Sequence, residues 1–269
     1  MRLKDLHLKL KGLRQKSFLI GDGGSKKRKQ KISMPPWIAL LHGYRVVEDQ
    51  SFISGSDEAE PEADSVVAHR ERTEELELWF FGVSNAQVGD RVTEYMQSHL
   101  FDRNPKESQI RRKSEETMRK AYLGARAEIR ETHKADETWR AGSVSVLVTN
   151  TGELVTASMG NYRAVVCRAA VAHEIGSRDQ QSAKRYWSRR LISGNKQSKG
   201  LLVGAERIDA PTEFIILAST GIWEVMNDQE AVRLIRYIDD PQKAAEYLAY
   251  EALNRRSKSR ISCLIIRFH

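Results

Sequence analysis

A hydroxyl side chain follows the most strongly apolar stretch of this chain. Residues 214–218 form an uninterrupted apolar run that stops at Ser219-Thr220-Gly221 and is followed by Trp223. Apolar runs bounded by turn residues are typical of strands buried on both faces, and side chains at their ends are held rigidly where chemistry is usually placed. Thr220 occupies that position. Its hydroxyl donates and accepts hydrogen bonds, but it brings no charge.

Other kinds of catalytic or binding site find little support in the spacing of residues. The seven histidines show no metal-ligand spacing, and no Ser/His/Asp set is discernible. The glycines at 21–24 lack both the preceding strand and the following Lys-Ser/Thr of a phosphate-binding loop.

The elements around Thr220 predict an α+β fold of two packed sheets with helices outside. Strands are predicted over 37–47, 77–83, 142–149, 153–158, 163–167 with continuation towards 175, 214–218 and 261–268. Helices are predicted over 90–100, 114–133, 227–237 and 240–254, the last two from a polar cap and an Asp-Pro start. The acidic residues 54–65 predict a surface loop, and residues 176–207 show no core pattern. Strand meanders with helices inserted in pairs are typical of layered folds.

The positive charge of the chain belongs to its first 34 residues. The formal net charge is +8, yet residues 1–34 alone carry eleven Lys and Arg against two Asp. The remaining 33 basic and 34 acidic residues nearly cancel. This division predicts a basic N-terminal extension over 1–34 and one domain over 35–269. It argues against a broad nucleic-acid-binding face.

The extension itself leaves alternatives open. Residues 2–18 place leucines at helical spacing among basic residues, as in an amphipathic arm on an anionic surface or a weakly ordered extension. A compact basic run follows, which suits a nuclear-import signal, an anionic-surface patch or a solvated linker. Its members are Lys26, Lys27, Arg28, Lys29 and Lys31.

Two cysteines, Cys167 and Cys263, lie within apolar strand-like runs. Buried free thiols in a reducing compartment are favoured over a disulfide. The chain also shows no secretory leader and no apolar run approaching the roughly 18 residues that span a bilayer. We therefore expect an intracellular protein, in the cytoplasm, the nucleus or both.

Four stretches resemble, in order and spacing, the motifs of the protein phosphatase 2C (PPM) family of the plant type. They are F-G-V-S-N-A-Q-V-G at 81–89 (family F-G-V-F-D-G-H-G-G), M-G-N-Y-R-A-V at 159–165 (V-G-D-S-R-A-V), F-I-I-L-A-S-T-G-I-W-E-V at 214–225 (F-L-I-L-A-S-D-G-L-W-D-V) and S-R-I-S-C-L-I-I at 259–266 (D-N-I-T-V-I-V-V). A-G-S at 141–143 is similar to the family's S-G-S/T, and Glu48-Asp49 to its early M-E-D. The resemblance covers about residues 37–269.

This resemblance implies a four-layer αββα sandwich and a metal-dependent phosphatase ancestry. In the family, two Mg²⁺ or Mn²⁺ ions bridge an activated water that attacks a phosphoserine or phosphothreonine. Such hard dications require oxygen ligands, and anionic ones offset their charge. Transferred residue by residue, four acidic ligands of the family fall on neutral side chains here. These are Asn85, Asn161, Thr220 and Ser259.

The other positions implied by the resemblance are also altered. The family's histidine, a candidate proton donor, falls on Gln87, which cannot do that work. Arg260 places a cation near the expected metal positions. Glu48 and Asp49 survive as carboxylates, and Ala86 can offer a backbone carbonyl. The family's S-R-x-x-G-D motif is not found between residues 167 and 214.

We therefore expect a pseudophosphatase: a folded binding or regulatory module in phospho-signalling that holds no metal cofactor and has no catalytic residues. The alternative is a weak or noncanonical metal-dependent serine/threonine phosphatase that uses Glu48, Asp49 and waters for one ion. A kinase or a phosphoprotein is the expected partner. Nucleic acid is not expected, and contact with an anionic surface through residues 1–31 is left open.

Overall fold

A computed structural model describes residues 40–47, 64–72, 76–101, 109–132, 142–175 and 201–268. All of them fall within one compact unit, Met34–His269. The predicted N-terminal extension, including its basic run, lies outside the described residues, so the boundary near residue 34 stays a prediction. Glu48 and Asp49 lie outside them as well.

In the described chain, runs of strands are separated by two groups of helices. The strands are β1 (Leu40–Val46), β2 (Ser65–Arg72), β3 (Glu77–Ser84), β4 (Ser143–Thr149), β5 (Glu153–Met159), β6 (Arg163–Arg168), β7 (Val171–Glu174), β8 (Leu202–Arg207), β9 (Thr212–Ala218) and β10 (Ser262–Phe268). The helices are α1 (Ala86–Met96), which continues as a π-helical segment (Gln97–Phe101), α2 (Ile110–Thr132), α3 (Thr220–Trp223), α4 (Asp228–Ile235) and α5 (Pro241–Asn254).

The strands form two five-stranded antiparallel sheets. Sheet A has the order β1-β10-β9-β6-β7, and sheet B has the order β2-β3-β4-β5-β8. Neighbouring strands pair antiparallel throughout both sheets.

Three apolar layers hold the sandwich together. The central layer joins the facing sides of the two sheets, a second packs sheet B against α1 and α2, and a third packs sheet A against α3, α4 and α5. In β9 the side chains alternate: Phe214, Ile216 and Ala218 face the helices, whereas Ile215 and Leu217 face the other sheet. Burial on both faces explains the continuous apolar run, and the predicted αββα sandwich is confirmed.

Local capping sets where two of the helices begin. The Asn227 side chain accepts the Glu230 N–H at 2.9 Å, and the Glu230 carboxylate accepts the Asn227 N–H at 2.9 Å. This reciprocal box starts α4 as predicted. Asp240 accepts the Gln242 N–H at 2.9 Å, and Pro241 occupies the first turn of α5.

Two strands lie where none was predicted, and one expectation about a strand is wrong. The strands β2 and β8 were not predicted, because both lie at sheet edges with half-exposed, weakly alternating side chains. The strand from Arg163 does not continue to Ile175. It turns at Ala169-Ala170, both with positive φ, and returns as β7.

Candidate functional site

Strand register brings the family-like motifs to one end of the sandwich. In sheet B, Ser84 at the end of β3 pairs with Ser143, and Ser143 pairs with Met159. In sheet A, Ala218 at the end of β9 pairs with Cys263 and with Arg163. We call this end the rim. It comprises residues 64–65, 84–85, 142–143, 160–162, 219–221 and 259–262.

Asn85 connects β3 to α1 at the rim. Its N–H donates to the Gly142 carbonyl at 2.9 Å, and its carbonyl accepts the N–H groups of Val88 at 3.0 Å and Gly89 at 2.9 Å. Asn85 therefore starts the first turn of α1. Ala86 is the first residue of that helix, and the side chains at positions 86 and 87 lie outside the described part of the chain.

Gly142 makes room for an aromatic ring of the rim. A Cβ at this position would lie 2.0 Å from the Tyr162 ring, so the close approach requires glycine. Tyr162 follows Asn161 in the turn between β5 and β6, where Gly160 has a φ of 71°. The Tyr162 hydroxyl is thereby directed towards the carboxylate of Asp64, immediately before β2.

Thr220 and Arg260 lie on segments that are bonded together. The Ser219 hydroxyl donates to the Arg260 carbonyl at 2.7 Å and accepts the Ser262 N–H at 2.9 Å. The Gly221 N–H donates to the Arg260 carbonyl at 2.9 Å, and a Cβ on Gly221 would lie 2.3 Å from that oxygen. Thr220 is the first residue of α3, so its neutral side chain lies directly at the junction of β9 and the segment before β10.

Glu224 fixes the segment that contains Ser259. Its carboxylate accepts the Ser257 hydroxyl, the Ser259 N–H and the Ser259 hydroxyl, each at 2.7 Å, and also the Lys258 N–H. Burial acts to raise the pKa of Glu224, but together these hydrogen bonds lower it below its ordinary value. Both carboxylate oxygens are thus engaged by protein donors.

Asp64 is a buried carboxylate at the rim, immediately before β2. Its residue is 8% exposed. The Tyr162 hydroxyl donates to one carboxylate oxygen at 2.9 Å, the Ser262 hydroxyl donates to the other, and the Arg260 guanidinium lies 3.9 Å away. Burial raises the pKa of Asp64, although the two hydrogen bonds and the Arg260 charge oppose that shift.

Sequence reasoning missed Asp64, because it assigned residues 54–65 to an acidic surface loop. That expectation is wrong for Asp64, which is buried, and for Ser65, which begins β2. The available signal was the apolar pair Val66-Val67, which begins two residues after the aspartate. The pKa of Tyr162 lies well above its ordinary value. Burial of the Tyr162 ring is the larger cause, and the neighbouring Asp64 carboxylate raises the pKa further.

The described residues do not fit a pair of divalent metal ions. Within them, no group of three or more His, Cys, Asp or Glu side chains is arranged to hold a metal ion. The oxygens of Asp64 and Glu224 are occupied by hydroxyl and N–H donors, and the Arg260 cation lies beside Asp64. A dication at Asp64 would meet that cation at close range and in a poorly screened environment.

The fold and the rim motifs define a protein phosphatase 2C-type domain. The family model of protein phosphatase 2C matches residues 59–195 and 203–261, so the chain belongs to this family. The matched segments include Asp64 and all four neutral rim positions, whereas Glu48 and Asp49 precede them.

Among curated relatives, the chain is 41% identical over its full length to protein phosphatase 2C-like protein 44 of Arabidopsis thaliana, whose full length is also covered. It is 31% identical to protein phosphatase 2C 58 of the same plant, covering 87% of this chain and 89% of the relative. Both alignments cover most of this chain and most of the relative.

Solved structures agree on the fold. A bacterial serine phosphatase aligns with a TM-score of 0.61 at 14% identity, covering 86% of this chain and 98% of that one. The serine/threonine phosphatase PstP/Ppp of Mycobacterium tuberculosis aligns with a TM-score of 0.53 at 14% identity, covering 85% of this chain and 98% of that one.

Among the described residues, none of the helices has the length and apolar character needed to span a membrane.

Proposed function

We propose that this protein is a pseudophosphatase: a protein phosphatase 2C-like domain with a degenerate metal site that binds a partner without dephosphorylating it. The observation that carries the proposal is the position of Arg260, whose guanidinium lies 3.9 Å from the buried Asp64 carboxylate. A fixed protein cation thus balances the rim carboxylate. The resemblance places metal ligands of the family at the four neutral rim positions, so Arg260 brings a positive charge to the end of the sandwich where the family's dications would lie.

The four neutral rim positions support the proposal independently of Arg260. A charge-assisted contact contributes roughly 1.5–3 kcal/mol, so the loss of four carboxylates removes much of the free energy that would hold two dications. Ser259 illustrates the substitution, because its hydroxyl donates to Glu224 at 2.7 Å and thereby helps to fix the loop. Hydrogen bonds within the chain stabilise the rim in place of metal–oxygen bonds.

The partner we propose is a protein of a phosphorylation pathway, either a kinase or a phosphoprotein. The phosphatase scaffold supports this choice, because the chain keeps the ordered rim on which relatives of this family present their site. We also propose an intracellular location, in the cytoplasm or the nucleus. Both cysteines of the chain are free and buried, which suits a reducing compartment.

One observation favours a second candidate function, a weak metal-dependent serine/threonine phosphatase. Asp64 retains a carboxylate at the rim, inside the segment that matches the family model. Released from Tyr162 and Ser262, this side chain would offer an anionic ligand to a single ion, together with the carboxylates predicted at Glu48 and Asp49.

A turnover assay separates the two functions. The full chain is incubated with a phosphothreonine peptide and millimolar Mn²⁺, beside the variants Asp64→Ala and Asp49→Ala. We expect no Mn²⁺-dependent phosphate release above a buffer blank. Turnover that requires Mn²⁺ and disappears in either variant would establish the weak phosphatase and overturn the pseudophosphatase.

A further inference from the structure

A glutamine side chain occupies the open edge of β1, one of the two outer strands of sheet A among the described residues. The Tyr44 N–H donates to Gln242 Oε1 at 3.1 Å, and Gln242 Nε2 donates to the Tyr44 carbonyl at 3.1 Å. These backbone groups therefore face away from β10. The side-chain amide pairs with them much as the peptide group of a neighbouring strand would.

A similar arrangement occurs at the start of β7, the other outer strand among the described residues, where the carbonyl comes from Ala170 in the preceding turn. The Ala172 N–H donates to Gln229 Oε1 at 3.0 Å, and Gln229 Nε2 donates to the Ala170 carbonyl at 2.9 Å. Gln229 is the second residue of α4, and Gln242 is the second residue of α5. Two helices thus use the same position in their first turn to cover opposite edges of one sheet.

The first turn of α5 is held close enough to β1 for this contact. A Cβ on Gly43 would lie 2.2 Å from the Gln242 nitrogen, so glycine is required for the helix to approach the strand. Asp240 caps the same nitrogen at 2.9 Å. The Gln242 side chain is also oriented by Glu246, whose Oε1 accepts from Gln242 Nε2 at 3.0 Å.

The first turn of α4 is fixed to the sheet in a different way. Asp228 forms an ion pair with Arg163, the first residue of β6, and the Arg163 guanidinium lies 4.6 Å from the centre of the Trp223 ring. The neighbouring Gln229 is thereby positioned over β7. Two unrelated sets of contacts produce the same amide pairing.

Outer strands that present free backbone groups invite pairing with another chain. We infer that Gln229 and Gln242 close both edges of sheet A, as the described residues form it, against the addition of a strand from a second copy of this protein. The inference concerns self-association and does not depend on the proposed function. Each glutamine side-chain amide forms hydrogen bonds with one backbone N–H and one backbone C=O that would otherwise be available to an incoming strand.

The test replaces each glutamine with a side chain of similar length that cannot pair, in the full-length double variant Gln229→Met with Gln242→Met. The matched control is Arg233→Met with Lys243→Met, which places the same apolar side chains on exposed positions of the same two helices. Hydrogen exchange of the Tyr44 and Ala172 amides and sedimentation velocity over a range of concentrations are measured for both.

In the double glutamine variant at low concentration, we expect both amides to exchange about tenfold faster than in the control, since each loses its acceptor. As the concentration rises, the variant is expected to sediment as dimers or larger species and to protect the same amides again. Far-ultraviolet circular dichroism confirms folding. Sedimentation that matches the control at every concentration, or association without renewed protection of these amides, would overturn the inference.

Discussion

At the scale of single residues, the central feature is the buried Asp64 carboxylate, which is held by two hydroxyl donors and lies near the partly exposed Arg260 guanidinium. Asp64 receives the Tyr162 and Ser262 hydroxyls and lies 3.9 Å from Arg260. A buried carboxylate that loses one of its partners carries a large desolvation cost. We therefore expect Arg260 to contribute to the stability of the rim, beside the two hydroxyl donors.

Replacing Arg260 should reveal that contribution. We expect Arg260→Met to lower the free energy of unfolding at pH 7 by roughly 1–3 kcal/mol, because the buried Asp64 would lose a positive charge that offsets its desolvation. The comparison is Arg233→Met, an exposed arginine of α4. Urea unfolding at pH 7 measures both. Equal losses in the two variants would show that Arg260 does not stabilise Asp64.

The raised pKa of Asp64 predicts a direction for the pH dependence of stability. Its folded-state pKa lies above the unfolded value, so the folded protein binds the additional proton in the interval between the two. The free energy of unfolding of the wild type, relative to Asp64→Asn, should therefore increase as the pH falls from 7 towards 4. Urea unfolding of both proteins across that interval provides the measurement. A difference that is constant, or that grows with rising pH, would contradict this assignment.

At the scale of elements, the space around a glycine determines whether a Gly→Ala substitution stabilises or destabilises the fold. At Gly142 a Cβ would lie 2.0 Å from the Tyr162 ring, whereas at Gly124, exposed in α2, it would meet nothing within 4 Å. We expect Gly142→Ala to destabilise the protein by roughly 2 kcal/mol or more and Gly124→Ala to stabilise it by about 0.5–1 kcal/mol. Thermal unfolding of the two variants measures whether each substitution raises or lowers the stability. Stabilisation by Gly142→Ala would contradict the close approach.

The β6–β7 turn offers a second prediction at this scale. Ala169 and Ala170 have φ values of 46° and 68°, which disfavour side chains bearing a Cβ. Two-residue turns with two positive φ angles favour Asn-Gly. The double substitution Ala169→Asn with Ala170→Gly should raise the free energy of unfolding by about 1 kcal/mol, since it relieves the cost of left-handed backbone at residues with a Cβ. Urea denaturation is the measurement, and a loss of stability would show that the alanines are not strained.

Sequence patterns predict best the elements whose signals are local. The central strand β9 and the caps of α4 and α5 depend on neighbouring residues and are confirmed. The edge strand β8 was missed, because its side chains are half-exposed and its identity depends on pairing with β5. Short-range patterns do not contain that information.

The candidate site also depends on contacts between residues that are distant in sequence. The neutral residues at positions 85, 161, 220 and 259 are readable from the motifs, whereas the burial of Asp64 is not. Its partner Tyr162 lies 98 positions away along the chain, and Ser262 lies 198 positions away. Only the sandwich brings β2, β6 and β10 together at the rim.

At the scale of the whole molecule, the protein retains the architecture of a protein phosphatase 2C domain while its rim is stabilised by its own side chains. All three apolar layers are complete among the described residues, from α1 and α2 through both sheets to α4 and α5. The scaffold should therefore tolerate restoration of the family's ligands. Metal binding by the wild type and by a variant with the family's ligands restored therefore distinguishes the pseudophosphatase from the weak phosphatase.

The central claim is tested most directly by calorimetric titration of Mn²⁺ into the full-length protein and into a restored variant. The restored variant combines Asn85→Asp, Asn161→Asp, Thr220→Asp, Ser259→Asp and Arg260→Asn. We predict no binding heat for the wild type at millimolar Mn²⁺ and a saturable heat for the restored variant. Saturable Mn²⁺ binding by the wild type that is abolished by Asp64→Ala would contradict the account.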